Sequence, residues 1–253
     1  ALAKNSSRYN NNNRISKTTL TMAAASSHSN QMKYSAENDG LPRDAKIGIL
    51  GGGQLGRMLA IAGAPMGVRL NVLDPTEPSC PASIAAEQTI GSFRDKAAVL
   101  EFAKDCDVVT VEIEHIDCDA LDELVKNGID VQPTPKTLRT IQDKYAQKVH
   151  FRDNNVKIGP FMDVPDEAQL QNAVNAFGFP LMLKSKRLAY DGRGNAVAKT
   201  ASDLDNAVKS LGGFDTGLYA EKWVPFEREL AVMVARSKSG EVVAYPVVET
   251  VHE

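Results

Sequence analysis

Glycines stand at positions 51, 53 and 56 in KIGILGGGQLGRML (residues 46–59), between an apolar run and an amphipathic stretch. Glycines in such a turn let the backbone approach an anion, and the N-terminus of the helix that follows favours negative charge. The pattern is G-x-G-x-x-G, and Asp74 closes the next apolar run, as in dinucleotide sites. Two features depart from a nicotinamide site. The polar Gln54 leads the helix, where it can hydrogen-bond a ligand directly, and the rest of the chain offers no hydride-acceptor pattern. Tight strand–helix packing accounts for one such glycine but not for three.

Three more segments carry polar residues at strand ends. In TVEIEHID, Glu112 and Glu114 close an apolar run, and alternation would point both to one side with Ile113 opposite. Ligands of open parallel sheets bind outside such strand ends, so the pair is either a ligand contact or two solvated acids. His115 alone supports no assignment. In LMLKSKRLAYDGRGN, Lys184 ends an apolar strand, where an ammonium calls for an anionic partner. Beyond it Gly192 and Gly194 flank Arg193; the loop is either a hairpin turn or a lid over phosphates. It is not a Walker A loop, because G-K-[ST] is missing. In YAEKWVPFERELAV, Glu221 ends a strand, Trp223 and Val224 form an apolar corner, and Glu229 opens the next strand. Apolar walls and a carboxylate suit an adenosine, and an ordinary inter-domain crossover fits the spacing as well.

The elements that must position these residues alternate. Apolar runs predict strands at 47–50, 69–73 and 107–112, and amphipathic periods predict helices at 54–64, 96–104 and 120–126. In the first helix Leu55, Met58, Leu59 and Ala62 share a face. Strands alternating with helices indicate a doubly wound parallel sheet of the α/β class. A second, mixed α+β unit begins near Asp143. It carries a helix with Leu170, Val174 and Phe177 on one face, ended by Gly178, and strands at LMLKS, NAVAKT and GLYAEKWV. Ser202 is the expected cap of a helix with Leu204, Ala207, Val208 and Leu211 on its face. ELAVMVAR and EVVAYPVV read as a hairpin about SKSG.

Composition excludes several classes. The 253 residues are 43% hydrophobic and 24% charged, with 29 Lys plus Arg against 32 Asp plus Glu and a net charge of −3. So mild a charge, without a basic stripe interleaved with aromatics, argues against a nucleic-acid partner. Cys80, Cys106 and Cys118 form no disulfide framework and no zinc pattern. No apolar run approaches the roughly 20 residues of a membrane span.

Residues 1–44 differ from the rest. They hold Lys4, Arg8, Arg14, Lys17 and Lys33, no acidic residue before Glu37, and many Asn and Ser. That composition fits either a transit peptide, implying a plastid stroma, or a disordered leader on a cytoplasmic protein. The absence of an initial Met and the apolar strand pattern at the end suggest a piece of a longer chain.

Taken in order, GILGGGQLGRML, VEIEH, LKSKRLAYDGRGN and YAEKWVPFERELAV resemble the ATP-grasp enzyme N5-carboxyaminoimidazole ribonucleotide synthase, from about Ala45 to the last residue. In plants and fungi this family forms the N-terminal part of phosphoribosylaminoimidazole carboxylase. With the leader at 1–44 outside it, the resemblance implies a doubly wound substrate domain at 45–142, an ATP-grasp lid subdomain at 143–222, and the start of a C-terminal ATP-grasp domain at 223–253. It implies ATP, Mg²⁺ and bicarbonate as reactants, with carboxyphosphate carboxylating 5-aminoimidazole ribonucleotide, a homodimer, and a fused mutase domain.

Carried over by residue, Lys144 and Lys184 match the cations on the ATP phosphates, and Tyr190 to Gly194, with Gly192 between, match the lid. Glu221, Lys222, Trp223 and Val224 match the adenine linker, Glu229 the ribose carboxylate, and His252 a nucleotide contact. Gln54, Glu112, Tyr190, Asp191 and Arg193 become the contacts to the ribonucleotide, whose phosphate falls to the first glycine turn. Ala189 stands where some relatives have glycine. The family's metal carboxylates fall beyond residue 253, so no metal ligand and little synthase activity are expected of these residues alone. Another ATP-grasp ligase, an NAD-dependent oxidoreductase and a non-catalytic nucleotide module remain as alternatives.

Overall fold

The computed structural model describes residues 45–188 and 194–251. The leader, Tyr190, Asp191, Gly192, Arg193 and His252 lie outside the described residues.

The first part of the chain runs β1 (Lys46–Leu50), α1 (Gln54–Gly63), β2 (Arg69–Asp74), β3 (Glu87–Ile90), α2 (Lys96–Ala103), β4 (Val108–Val111), α3 (Cys118–Lys126), β5 (Asp130–Val131) and α4 (Pro135–Gln142). Its five strands lie in the order β3-β2-β1-β4-β5, and every pairing is parallel. The order reverses between β1 and β4, the place where such sheets bind ligands. One face buries Val99, Phe102, Leu121 and Leu124, and the other buries Ile49, Val72 and Ala82. Carboxylates start the helices: Asp95 accepts the N–H of Ala98, and Asp117 those of Asp119 and Ala120.

The second part runs α5 (Lys144–Asp153), β6 (Phe161–Val164), α6 (Glu167–Phe177), β7 (Leu181–Ser185), β8 (Asn195–Ala198), α7 (Leu204–Ser210), β9 (Leu218–Lys222), β10 (Glu229–Ala231), β11 (Val234–Arg236), β12 (Val242–Ala244) and β13 (Val248–Thr250). Strands β6-β9-β7-β8 form an antiparallel sheet. Leu181, Leu183, Leu218 and Ala220 turn to a core closed by Leu170, Ala173, Val208 and Leu211. Alternation then sends Lys184 and Glu221 to the opposite face. No described helix is long and apolar enough to cross a membrane.

Three expectations need correction, and one helix had not been expected. Leu55, Met58, Leu59 and Ala62 do not face the core; all are exposed, and Gly56 and Ala60 make the buried side of α1. The reason is close approach: a Cβ on Gly56 would stand 3.0 Å from the carbonyl oxygen of Gly51, so only small residues fit that side. Ser202 does not cap α7. Asp203 instead accepts the N–H groups of Lys199 and Thr200 at 3.0 and 2.8 Å and closes a short turn ahead of the helix. The hairpin is broken in two: Val234 pairs Ala244 and Ala231 pairs Val248, which leaves two residues facing three. Pro246 lies in the longer stretch and has no N–H for the ladder. Helix α4, begun by Pro135 behind the Thr134 cap, had no predicted counterpart.

Candidate functional site

The glycine turn and the end of β4 meet at the sheet's reversal point. Gly51 has φ +102°, and a Cβ there would stand 2.6 Å from Glu112 Cγ. A Cβ on Gly52 would stand 2.4 Å from the Cys80 sulfur. Two carboxylates fill the space that these glycines leave. Glu112 Oε1 accepts the N–H of Gly53 at 2.8 Å, and Oε2 accepts that of Gly56 at 2.5 Å. Asp74, 6% exposed, accepts the N–H of Gly52 at 2.8 Å through Oδ2 and that of Thr76 at 2.8 Å through Oδ1.

This corrects the sequence reading twice. The amides expected to cradle the ribonucleotide phosphate are occupied by protein carboxylates, and a phosphate there would meet their like charge. Asp74 is turned into the loop and cannot serve a ribose diol, which removes the main support for a nicotinamide site. Gln54, by contrast, is exposed at the first position of α1, beside Glu112's partners.

Glu112 and Glu114 do not act as a same-face pair. Strand β4 ends at Val111, so alternation no longer governs them. Glu112 goes to the glycine turn, and Glu114 reaches Lys144 at 4.0 Å. Gln142 fixes this stretch by donating to the carbonyls of Glu114 and Ile116 at 2.7 and 2.8 Å. A cleft of about 390 Å³ beside it is lined by Arg94, His115, Gln142 and Arg187.

The second group of charges lies on the sheet face opposite the core. Helix α5 is capped by Asp143, which accepts the N–H of Ala146 at 2.9 Å. Its first N–H, of Lys144, donates to the carbonyl of Lys186 at 2.7 Å and ties the helix to the end of β7. Lys144 and Lys148 are four residues apart and so share one side of the helix. Register places Lys184 opposite Tyr219, which makes Glu221 its diagonal neighbour on the same face.

Glu221 takes one ammonium on each oxygen: Lys148 at 2.8 Å on Oε1 and Lys184 at 3.2 Å on Oε2. Oε1 is shielded from solvent and has no well-angled hydrogen bond, so its contact with Lys148 is an ion pair. Tyr219 is held well above the ordinary phenol range, first by burial and then by the charge of Glu221 and a hydrogen bond to it. Lys186 is engaged elsewhere, 2.6 Å from Asp163 and 5.0 Å from the Tyr145 ring centroid. Lys148 was not among the residues singled out from the sequence; its i,i+4 spacing from Lys144 was the available signal.

Beyond β9 the chain is irregular. Lys222 is exposed, its N–H donating to the carbonyl of Pro160 at 3.0 Å. Trp223 and Val224 are 38% and 53% exposed, an uncovered apolar corner beside Gly159. Glu229 opens β10 in register with Thr250. Gly194 sits at φ +81°, its carbonyl accepting the N–H of Ser185 at 2.9 Å. Among the described residues no three His, Cys, Asp or Glu side chains stand together as a metal would require.

Residues 44–142 match the ribonucleotide synthetase preATP-grasp domain, and residues 149–253 match the ATP-grasp domain. The chloroplastic phosphoribosylaminoimidazole carboxylase of Vigna aconitifolia is 51% identical over 205 residues, covering 80% of this chain and 36% of the relative. The crystal structure of carboxyaminoimidazole ribonucleotide synthase from Aspergillus clavatus complexed with ATP is 42% identical, with a TM-score of 0.77. A second structure from that organism, N5-carboxyaminoimidazole synthase with ADP and 5-aminoimidazole ribonucleotide, is 41% identical, with a TM-score of 0.75. Each covers 83% of this chain, which spans 55% of the matched chain. The chain thus spans about a third of the plant relative and just over half of the solved structures. The chain therefore carries a preATP-grasp domain of the ribonucleotide synthetase type followed by an ATP-grasp domain.

Proposed function

We propose that this chain is the nucleotide- and substrate-binding part of an N5-carboxyaminoimidazole ribonucleotide synthase of purine biosynthesis. In the reaction, bicarbonate attacks the γ-phosphorus of ATP to give carboxyphosphate and ADP. The exocyclic amine of 5-aminoimidazole ribonucleotide then takes up the carboxyl group, releasing phosphate. The observation that carries the reading is the cluster of Lys148, Lys184 and Glu221 on the face of the second sheet away from its core, with Lys144 one helical turn before Lys148 and paired to Glu114. Cations fixed there suit a polyphosphate, and catalysis of phosphoryl transfer is mostly positioning and charge stabilisation.

In this reading Lys144 and Lys184 hold the phosphates of ATP, and backbone groups of Glu221 to Val224 read the adenine against the exposed Trp223 corner. Glu229 and His252 complete the nucleotide set. Gln54, with Tyr190, Asp191 and Arg193, holds the ribonucleotide, and Glu112 serves that end by fixing the glycine turn. Mg²⁺ belongs to the same reading: it needs only one or two carboxylates beside the phosphates of ATP, and among the described residues no larger group of metal-ligating side chains converges. The parts fall at 45–142, 143–222 and 223–253.

Calorimetric titration tests the reading. ATP and 5-aminoimidazole ribonucleotide should each bind, glycinamide ribonucleotide should not, and Lys184→Ala should abolish the ATP signal alone. No ATP binding, or preference for glycinamide ribonucleotide, overturns it. The full-length protein should also release phosphate only when ATP, bicarbonate and 5-aminoimidazole ribonucleotide are all present. A fused mutase domain, a homodimer and plastid import by residues 1–44 belong to the same reading. They are checked by the transcript, by light scattering and by a reporter fusion, respectively.

A further inference from the structure

We infer that Lys148 is a positioning residue for the nucleotide: by sharing the Glu221 carboxylate, it leaves charge on Lys184 for a phosphate. The inference rests on the nucleotide reading above.

Glu221 lies on β9, between β6 and β7. Its register partners are Phe161 on β6 and Met182 on β7. Lys148 comes down from α5 on the β6 side, its ammonium 6.0 Å from the Phe161 ring centroid. Lys184 stands on the β7 side. The carboxylate is therefore interposed between the two ammoniums, with one oxygen toward each. All three side chains are mostly shielded, at 22%, 17% and 26% exposure for Lys148, Glu221 and Lys184, so their charges are weakly screened by solvent.

The charge balance follows. Two ammoniums and one carboxylate leave the group with one net positive charge. Without Lys148, Glu221 and Lys184 neutralise each other. Oε1, shielded from water, would then have no counter-charge, and the carboxylate would turn fully onto Lys184. The ammonium meant for a phosphate would be held back by its own neighbour. Lys148 itself stands on the far side of Glu221 from Lys184, so it acts through the carboxylate.

Lys148→Met tests this, since it keeps the aliphatic stem over Phe161 and removes only the charge. The 253-residue chain is titrated with ATP, AMP and adenosine. The expected result is an ATP dissociation constant at least tenfold higher, a smaller rise for AMP and none for adenosine. Lys148→Arg should restore ATP binding to within about threefold of the unsubstituted chain. In a Glu221→Gln background there is no charge to share, so Lys148→Met should cost little more. Unchanged ATP affinity in Lys148→Met overturns the inference. So does an equal loss for adenosine, which marks a structural role, or an undiminished loss in the Glu221→Gln background, which marks direct phosphate contact. If the unsubstituted chain binds no ATP, the nucleotide reading fails first and takes this inference with it.

Discussion

Glu112 accepts the backbone N–H of Gly53 at 2.8 Å, and its second oxygen accepts that of Gly56. A side chain from the end of β4 thus caps the start of α1, 56 residues earlier in the chain. It uses the positive end of the helix as an external anion would. Glu112→Ala frees two amide donors, and charge-assisted bonds of this kind contribute about 1.5–3 kcal/mol. The melting temperature should fall by about 3–12 °C, at roughly 2–4 °C per kcal/mol for a chain of this size. Glu112→Gln, which keeps one good acceptor, should fall less. Calorimetric scans that place Glu112→Ala within a degree of the unsubstituted chain would show the contact to be idle.

Asp74 takes the place of the acid that binds a ribose in dinucleotide sites, yet both of its oxygens serve the backbone of its own neighbourhood. NADH should therefore show no fluorescence enhancement on titration with the chain. Asp74→Ala should cost about 1–3 kcal/mol by stranding the Gly52 N–H in a buried position, measured as a shift in urea midpoint. An NADH response that Asp74→Ala abolishes would restore the oxidoreductase reading.

These two acids mark the limit of what the sequence discloses. Strand, glycine turn and helix were legible because apolar period and glycine position are local signals. The destination of Glu112 was not, because it depends on where β4 lies beside β1, a pairing across some 60 residues. Helix α1 shows the same limit from the other side. Its large apolar residues looked like the core stripe, but the buried stripe is Gly56 and Ala60, chosen by backbone proximity that no hydrophobic period records. Lys184 and Glu221 were each legible as strand-end charges. Their diagonal adjacency, and the entry of Lys148, required the antiparallel register of the second sheet.

Burial, with Asp105 and Asp107 beside it, pushes the Cys106 thiol up to about 11. The unfolded thiol ionises near the ordinary value of about 8.5. Between these two values the unfolded chain has lost a proton that the folded chain retains, so stability falls as pH rises. The contribution is whole below about pH 8.5 and gone above about pH 11. Urea midpoints taken from pH 8 to 11 should decline, and Cys106→Ala should flatten part of that decline. Parallel curves for the two proteins would remove Cys106 from the account. Native Cys106 should also react with an aromatic disulfide reagent at pH 9 only at the rate of unfolding.

Gln54 is the test of the first domain's role. It stands exposed at the start of α1, so Gln54→Ala should leave stability within about 0.5 kcal/mol. Its amide is not committed to the loop's own backbone, whereas the carboxylates of Glu112 and Asp74 are. If the ribonucleotide docks at the reversal point, losing that amide removes about one hydrogen bond, or roughly 1 kcal/mol. The dissociation constant for 5-aminoimidazole ribonucleotide should then rise about fivefold. ATP affinity should not change, because the Lys184–Glu221 cluster belongs to the second sheet. A Gln54→Ala protein that loses ATP instead would mean that the glycine turn serves the nucleotide, and that the two ligands have been assigned to the wrong halves of the chain.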